Sequence, residues 1–180
     1  VKISAIFAGW HIGDGNYPPV KKGELVNLSF ELAPGRVTRV SASEPESMIQ
    51  TEGAEYQFCA KVLKIYDELT VVEAEGFRFH ICCFPQKPKH LEEGDKIWGI
   101  GVLSLDCYLW VEFMHRYADA PDLLYQLRVT GIYEFPEQKQ VASMAHSEAA
   151  DWLANFDSDC VNAELIPKTF KSRRTKNRRI

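Results

Sequence analysis

Phe77-Arg78-Phe79-His80-Ile81-Cys82-Cys83-Phe84 is the stretch that decides the fold. Phe77, Phe79, Ile81 and Cys83 fall on one side of an extended chain, and Arg78, His80 and Cys82 on the other. A period of two over eight residues marks a half-buried strand, because successive side chains of extended backbone point to opposite faces. Outward from it, residues 56–66, 69–74, 96–105 and 107–114 have the same strand-like composition. Only Asp67-Glu68, Glu75-Gly76 and Asp106 interrupt three of the junctions, so neighbours are expected to pair antiparallel as hairpins. Phe58, Ala60 and Val62 run in phase and Leu63 and Ile65 out of phase, which predicts a bulge near Val62. Gly99 and Gly101 leave one face of their strand as bare backbone, the pattern of a bent strand or of close approach by another element.

Towards the N-terminus, apolar runs 2–9 and 24–33 flank a Gly-, Pro-, Asp- and Asn-rich connection and read as a hairpin region over 1–41. Pro34-Gly35 predicts a turn, 36–40 a short strand, and 41–53 a polar surface loop. Residues 124–135 read as a further strand that Pro136 ends. From Ser143 to Phe156 the period changes: Ala145, Ala149, Trp152, Leu153 and Phe156 recur at helical spacing behind a serine N-cap. The expected fold is mainly β: an antiparallel barrel or curved sheet over 54–136, an N-terminal β-hairpin and one C-terminal helix over 143–156. These make a single domain over 1–167, followed by a flexible basic tail over 168–180.

Leu91-Glu92-Glu93-Gly94-Asp95-Lys96-Ile97-Trp98-Gly99-Ile100-Gly101-Val102-Leu103 resembles the segment that opens the fourth strand of an OB-fold, where an acidic Gly-Asp turn leads into a glycine-bearing strand. The resemblance covers residues 56–114. It departs at 85–93, where Pro85 and Pro88 stand in place of the helix usual in that fold. It implies a small barrel of the kind that binds single-stranded nucleic acid.

The 180 residues include 25 acidic and 21 basic side chains, but the net charge of -4 conceals a split. Seven of the basic residues, Lys168, Lys171, Arg173, Arg174, Lys176, Arg178 and Arg179, follow Pro167. Residues 1–167 thus set 14 basic against 25 acidic side chains, a balance of −11, while the tail carries +7. Such a body repels phosphate backbones and favours cationic partners; nucleic acid is left to Lys168 to Arg179. No apolar run approaches the roughly 20 residues of a membrane helix. The five cysteines are odd in number and lack CxxC spacing, so buried free thiols in a reducing, cytoplasmic setting are expected. The opening residues read as a strand rather than a leader, and the first residue, Val1, leaves trimming open.

No Walker loop, dinucleotide fingerprint, HExxH, zinc spacing or GxSxG is present, and no cofactor or metal is expected. Three groups of residues stand out as binding candidates. Trp10, His11, Asp14, Asn16 and Tyr17 place an aromatic platform, an imidazole and a carboxylate on one Gly-rich connection. Tyr108 and Trp110 alternate on a strand-like segment and could stack on bases. Glu92, Glu93 and Asp95 form an acidic turn suited to steering a cationic partner. The expected function is a non-catalytic protein-binding module, of inhibitor or immunity type, for a basic partner. The alternatives are an OB-like nucleic-acid binder using the surface aromatics and tail, and an enzyme centred on Trp10 to Tyr17.

Overall fold

The computed structural model describes residues 2–8, 17–82, 84, 87–107, 110, 116–117, 119–134 and 159–166. They form nine strands: β1 Lys2–Phe7, β2 Leu25–Val40, β3 Ser47–Glu52, β4 Glu55–Ile65, β5 Thr70–Ala74, β6 Phe77–Ile81, β7 Lys96–Asp106, β8 Tyr125–Glu134 and β9 Asp159–Leu165. All belong to one sheet, in the order β3-β4-β5-β6-β2-β7-β1-β9-β8, with further pairings of β4 with β7 and of β2 with β8. These two extra pairings close the order into two rings of strands, β2-β7-β4-β5-β6 and β2-β7-β1-β9-β8, which share β2 and β7 as a common wall. Each ring holds one parallel pair, β6 with β2 in the first and β1 with β7 in the second. The chain is mainly β, and among the described residues no helix is long and apolar enough to cross a membrane.

The central hairpins form as the alternation predicts, β4 with β5 and β5 with β6, and β4 carries a register shift between Val62 and Lys64. Elsewhere the topology departs from local expectation. β1 and β2 do not form an N-terminal hairpin, because β1 is taken up between β7 and β9. β2 runs unbroken through Pro34 and Gly35, with a bulge there in place of a turn. Gly35 is the extra residue left without a partner at that bulge, while Pro34 faces Gly101 and Arg36 faces Ile100. Residues 47–52, inside the polar stretch expected to be a loop, pair with β4 as β3. Cys107 lies outside any strand, so the strand expected over 107–114 does not begin there. The helix expected over 143–156 and the tail over 168–180 lie outside the described residues.

Phe58, Phe79 and Phe30 are fully buried in the main core, where Phe58 meets Phe79 edge-on at 5.7 Å and Phe30 meets Phe77 at 5.0 Å. A smaller apolar cluster lies apart from it. Leu69, Val71, Trp110 and Leu123 pack together there, with Tyr66, Cys82 and Tyr117 against them. Val71 pairs with His80 across β5 and β6, so this cluster covers the side of β6 that alternation assigned to polar residues.

Candidate functional site

Beneath that smaller cluster lies a buried polar group drawn from three strands. Ser29 of β2 and Asp106 of β7 are directly paired, and Glu31 of β2 pairs with His80 of β6. Ser29, His80 and Asp106 retain 0%, 0% and 3% of their exposure. His80 Nε2 lies 2.8 Å from Asp106 Oδ2. The Ser29 hydroxyl donates to both Oδ2 and the main-chain oxygen of Asp106 at 3.1 Å, and the Trp110 main-chain N–H donates to Oδ2 at 2.8 Å. Among the described residues His80, Ser29 and the Trp110 N–H converge on the Asp106 carboxyl, so this buried polar group is hydrogen-bonded, as burial requires. On the other side of the imidazole, Nδ1 lies 3.4 Å from Cys82 Sγ. The indole of Trp110 stacks on His80 at 6.2 Å and 23°. Burial pushes the Glu31 carboxyl above its ordinary range, with His80 opposing, Asp106 reinforcing and a hydrogen bond with Cys82 opposing the shift.

Cys82 is partly exposed and borders a cavity of about 160 Å³, lined also by Tyr66, Glu68, Thr70, Phe84 and Lys87. Cys59 is buried, and burial raises its thiol. Burial and then the nearby Asp106 push the Cys107 thiol up to about 12. Among the described residues no group of three or more His, Cys, Asp or Glu side chains is placed to hold a metal ion.

The residues singled out from sequence are not brought into one site. Tyr17 is half-buried with its ring edge-on to Phe7 at 5.9 Å, packed on the main core; burial raises its phenol. Trp10, His11, Asp14, Asn16 and Tyr108 lie outside the described residues. Trp110 is no surface platform: it is fully buried over His80, and its indole N–H has no partner among the described residues. In the acidic turn, Glu92 and Glu93 are exposed but Asp95 is engaged. Asp95 Oδ1 pairs with Arg39 at 2.6 Å, and its Oδ2 accepts the Glu92 N–H at 2.9 Å. Glu93 lies 3.6 Å from Lys64, whose closer partner is Asp119 at 3.0 Å.

Two further features were not singled out from sequence. The His80 cluster was visible only as His80 and Cys82 sharing a strand face, because its carboxylates come from strands distant along the chain. The other is β3, the one strand with a single neighbour among the described residues. Ile49 is 53% exposed on it; Glu52 faces Glu55 across the end of the β3–β4 pair, and Glu44 and Glu46 precede β3 along the chain, Glu46 accepting the Glu75 N–H at 3.3 Å. Comparison with known proteins finds no matching family, no similar curated protein and no similar solved structure.

Proposed function

We propose that the chain is a protein-binding module of the inhibitor or immunity type, whose acidic body receives a basic, extended segment of its partner along the free edge of β3. The observation that carries this reading is that no other described strand pairs with the outer edge of β3, since an open row of backbone donors and acceptors is a template for one more strand. Ile49 offers an apolar anchor, and Glu44, Glu46, Glu52 and Glu55 select the sign of what docks. The same carboxylates repel a second copy of this edge, so they favour a cationic strand over self-pairing.

The balance of −11 over residues 1–167 adds long-range steering towards such a partner. An OB-like barrel over β4, β5, β6, β2 and β7 fits the reading of the fold. Those strands close on one another with one parallel pair, and β2 takes the place that a strand following β7 would fill. Nucleic-acid stacking loses support, because Trp110 is covered.

The test uses a synthetic peptide of alternating Lys and Val as probe. Binding is expected to weaken with salt and to slow amide exchange over residues 47–52, and Ile49→Lys is expected to abolish both effects. Protection elsewhere, or equal binding by a Glu-Val peptide, would overturn the reading.

A further inference from the structure

We propose that Cys82 is a reactive thiol, activated by His80 and Asp106, that forms a mixed disulfide with a small zwitterionic disulfide of the amino-acid type. Three side chains stand in series. Cys82 Sγ lies 3.4 Å from His80 Nδ1, and His80 Nε2 lies 2.8 Å from Asp106 Oδ2. A nucleophile, a base and a carboxylate that orients the base are the components that turn a weak thiol into an attacking thiolate. With Nε2–H given to Asp106, Nδ1 is the lone pair facing sulfur. Ser29 and the Trp110 N–H hold the carboxylate, and the Trp110 ring holds the imidazole. Of the three residues, only Cys82 reaches a cavity.

That cavity fixes the class of reagent. At about 160 Å³ it suits a small guest, since about 150 Å³ suffices for benzene. Its lining carries Asp67 and Glu68 together with Lys87, which suits a molecule bearing both ammonium and carboxylate groups. In the exchange, the Sγ proton passes to His80 Nδ1 and the thiolate attacks one sulfur of the disulfide. The new S–S bond forms as the old one breaks, and the departing thiolate takes the proton from Nδ1. Cys82 is thereby oxidised and half of the reagent reduced. Glu31 from β2, Asp106 from β7, Tyr66, Asp67 and Glu68 from the turn between β4 and β5, and Lys87 all face this region.

The experiment incubates the full chain with cystine and follows adducts by peptide mass mapping, with fragmentation separating Cys82 from Cys83. Cys82 is expected to be modified at pH 7 at least 10-fold faster than an unstructured peptide thiol, while Cys59 and Cys107 stay unmodified. The rate is expected to level off below the ordinary thiol range near 8.5, and His80→Gln is expected to restore an ordinary profile. Should that variant not fold, the pH profile of the unaltered chain decides. A rate that climbs through the ordinary thiol range, or modification no faster than the peptide, would overturn the proposal.

Discussion

Gly99 of β7 lies directly against the ring of Phe58 on β4: a Cβ built on Gly99 would stand 2.7 Å from Phe58 Cζ and 2.5 Å from the main-chain oxygen of Arg36. The bare face predicted from Gly99 and Gly101 is therefore a true close approach. At Gly101 the corresponding atom would meet the Ala33 oxygen at 2.6 Å. A backbone oxygen inside a ladder cannot step aside as the end of a flexible side chain can. Gly99→Ala and Gly101→Ala should each lower unfolding stability by about 1–3 kcal/mol, measured by denaturant titration; unchanged midpoints would show that the wall is looser than these distances.

Ser29→Ala removes one hydrogen bond to the buried Asp106 carboxyl and leaves His80 and the Trp110 N–H in contact with it. A loss of about 1–3 kcal/mol is expected, with Asp106→Ala costing more because His80 then loses its partner too. Thermal melts of the two variants check the order.

Asp95 and Glu92 sit three residues apart in the acidic turn and should behave differently. Asp95→Ala is expected to cost about 1 kcal/mol or more, since it deletes a hydrogen bond to the Glu92 N–H and the contact with Arg39. Glu92→Ala should leave stability within about 0.5 kcal/mol, as for an ordinary surface site. Charge reversal across Glu92 and Glu93 alone, sparing Asp95, is the clean test of steering, read as a slower association with a basic partner at low salt.

Glu31 gives a pH dependence whose sign follows from burial. Its carboxyl titrates higher in the folded chain than in the unfolded one, so between those two values the folded state holds the extra proton. The contribution is fully present below the unfolded pKa and is lost as pH rises through the folded one. Denaturant titrations should show the chain losing stability relative to Glu31→Gln as pH climbs from 4.5 towards neutrality, and a parallel pair of curves would contradict this.

Local pattern revealed the strands and little of their partners. Phe77, Phe79 and Ile81 are legible as a buried face because alternation is a property of one strand, and the glycines of β7 and the bulge near Val62 are legible for the same reason. The turn predicted at Pro34-Gly35 failed because Pro and Gly suit a bulge as well as a turn, and only the strand opposite decides between them. Polar composition hid β3, since an edge strand with exposed Ile49, Gln50, Thr51 and Glu52 lacks the apolar alternation that marks a covered one. The cluster around His80 could not be assembled from sequence, because its members sit at positions 29, 31, 80, 82, 106 and 110, and the pairing of β2 with β6 and β7 that joins Ser29, Glu31, His80 and Asp106 links strands far apart along the chain. Trp110 looked like surface because Tyr108 and Trp110 alternate as in a strand, whereas β7 ends at Asp106 and Trp110, outside any strand, packs over His80.

The wall shared by the two rings governs how the chain can assemble. Ser29 to Val40 must find Lys96 to Asp106 before either ring can close, yet these partners are far apart in the sequence. The hairpins of β4, β5 and β6 can form early from neighbouring residues and β7 can pair with β4, but the ring stays open between β6 and β7 until β2 joins them. Loop-closure entropy is thus lost before the largest contact surface is gained, which places the chain among slow, high-contact-order folders rather than fast ones. It also ties the two halves into one cooperative unit: neither ring can open along β2 and β7 without removing a side from the other.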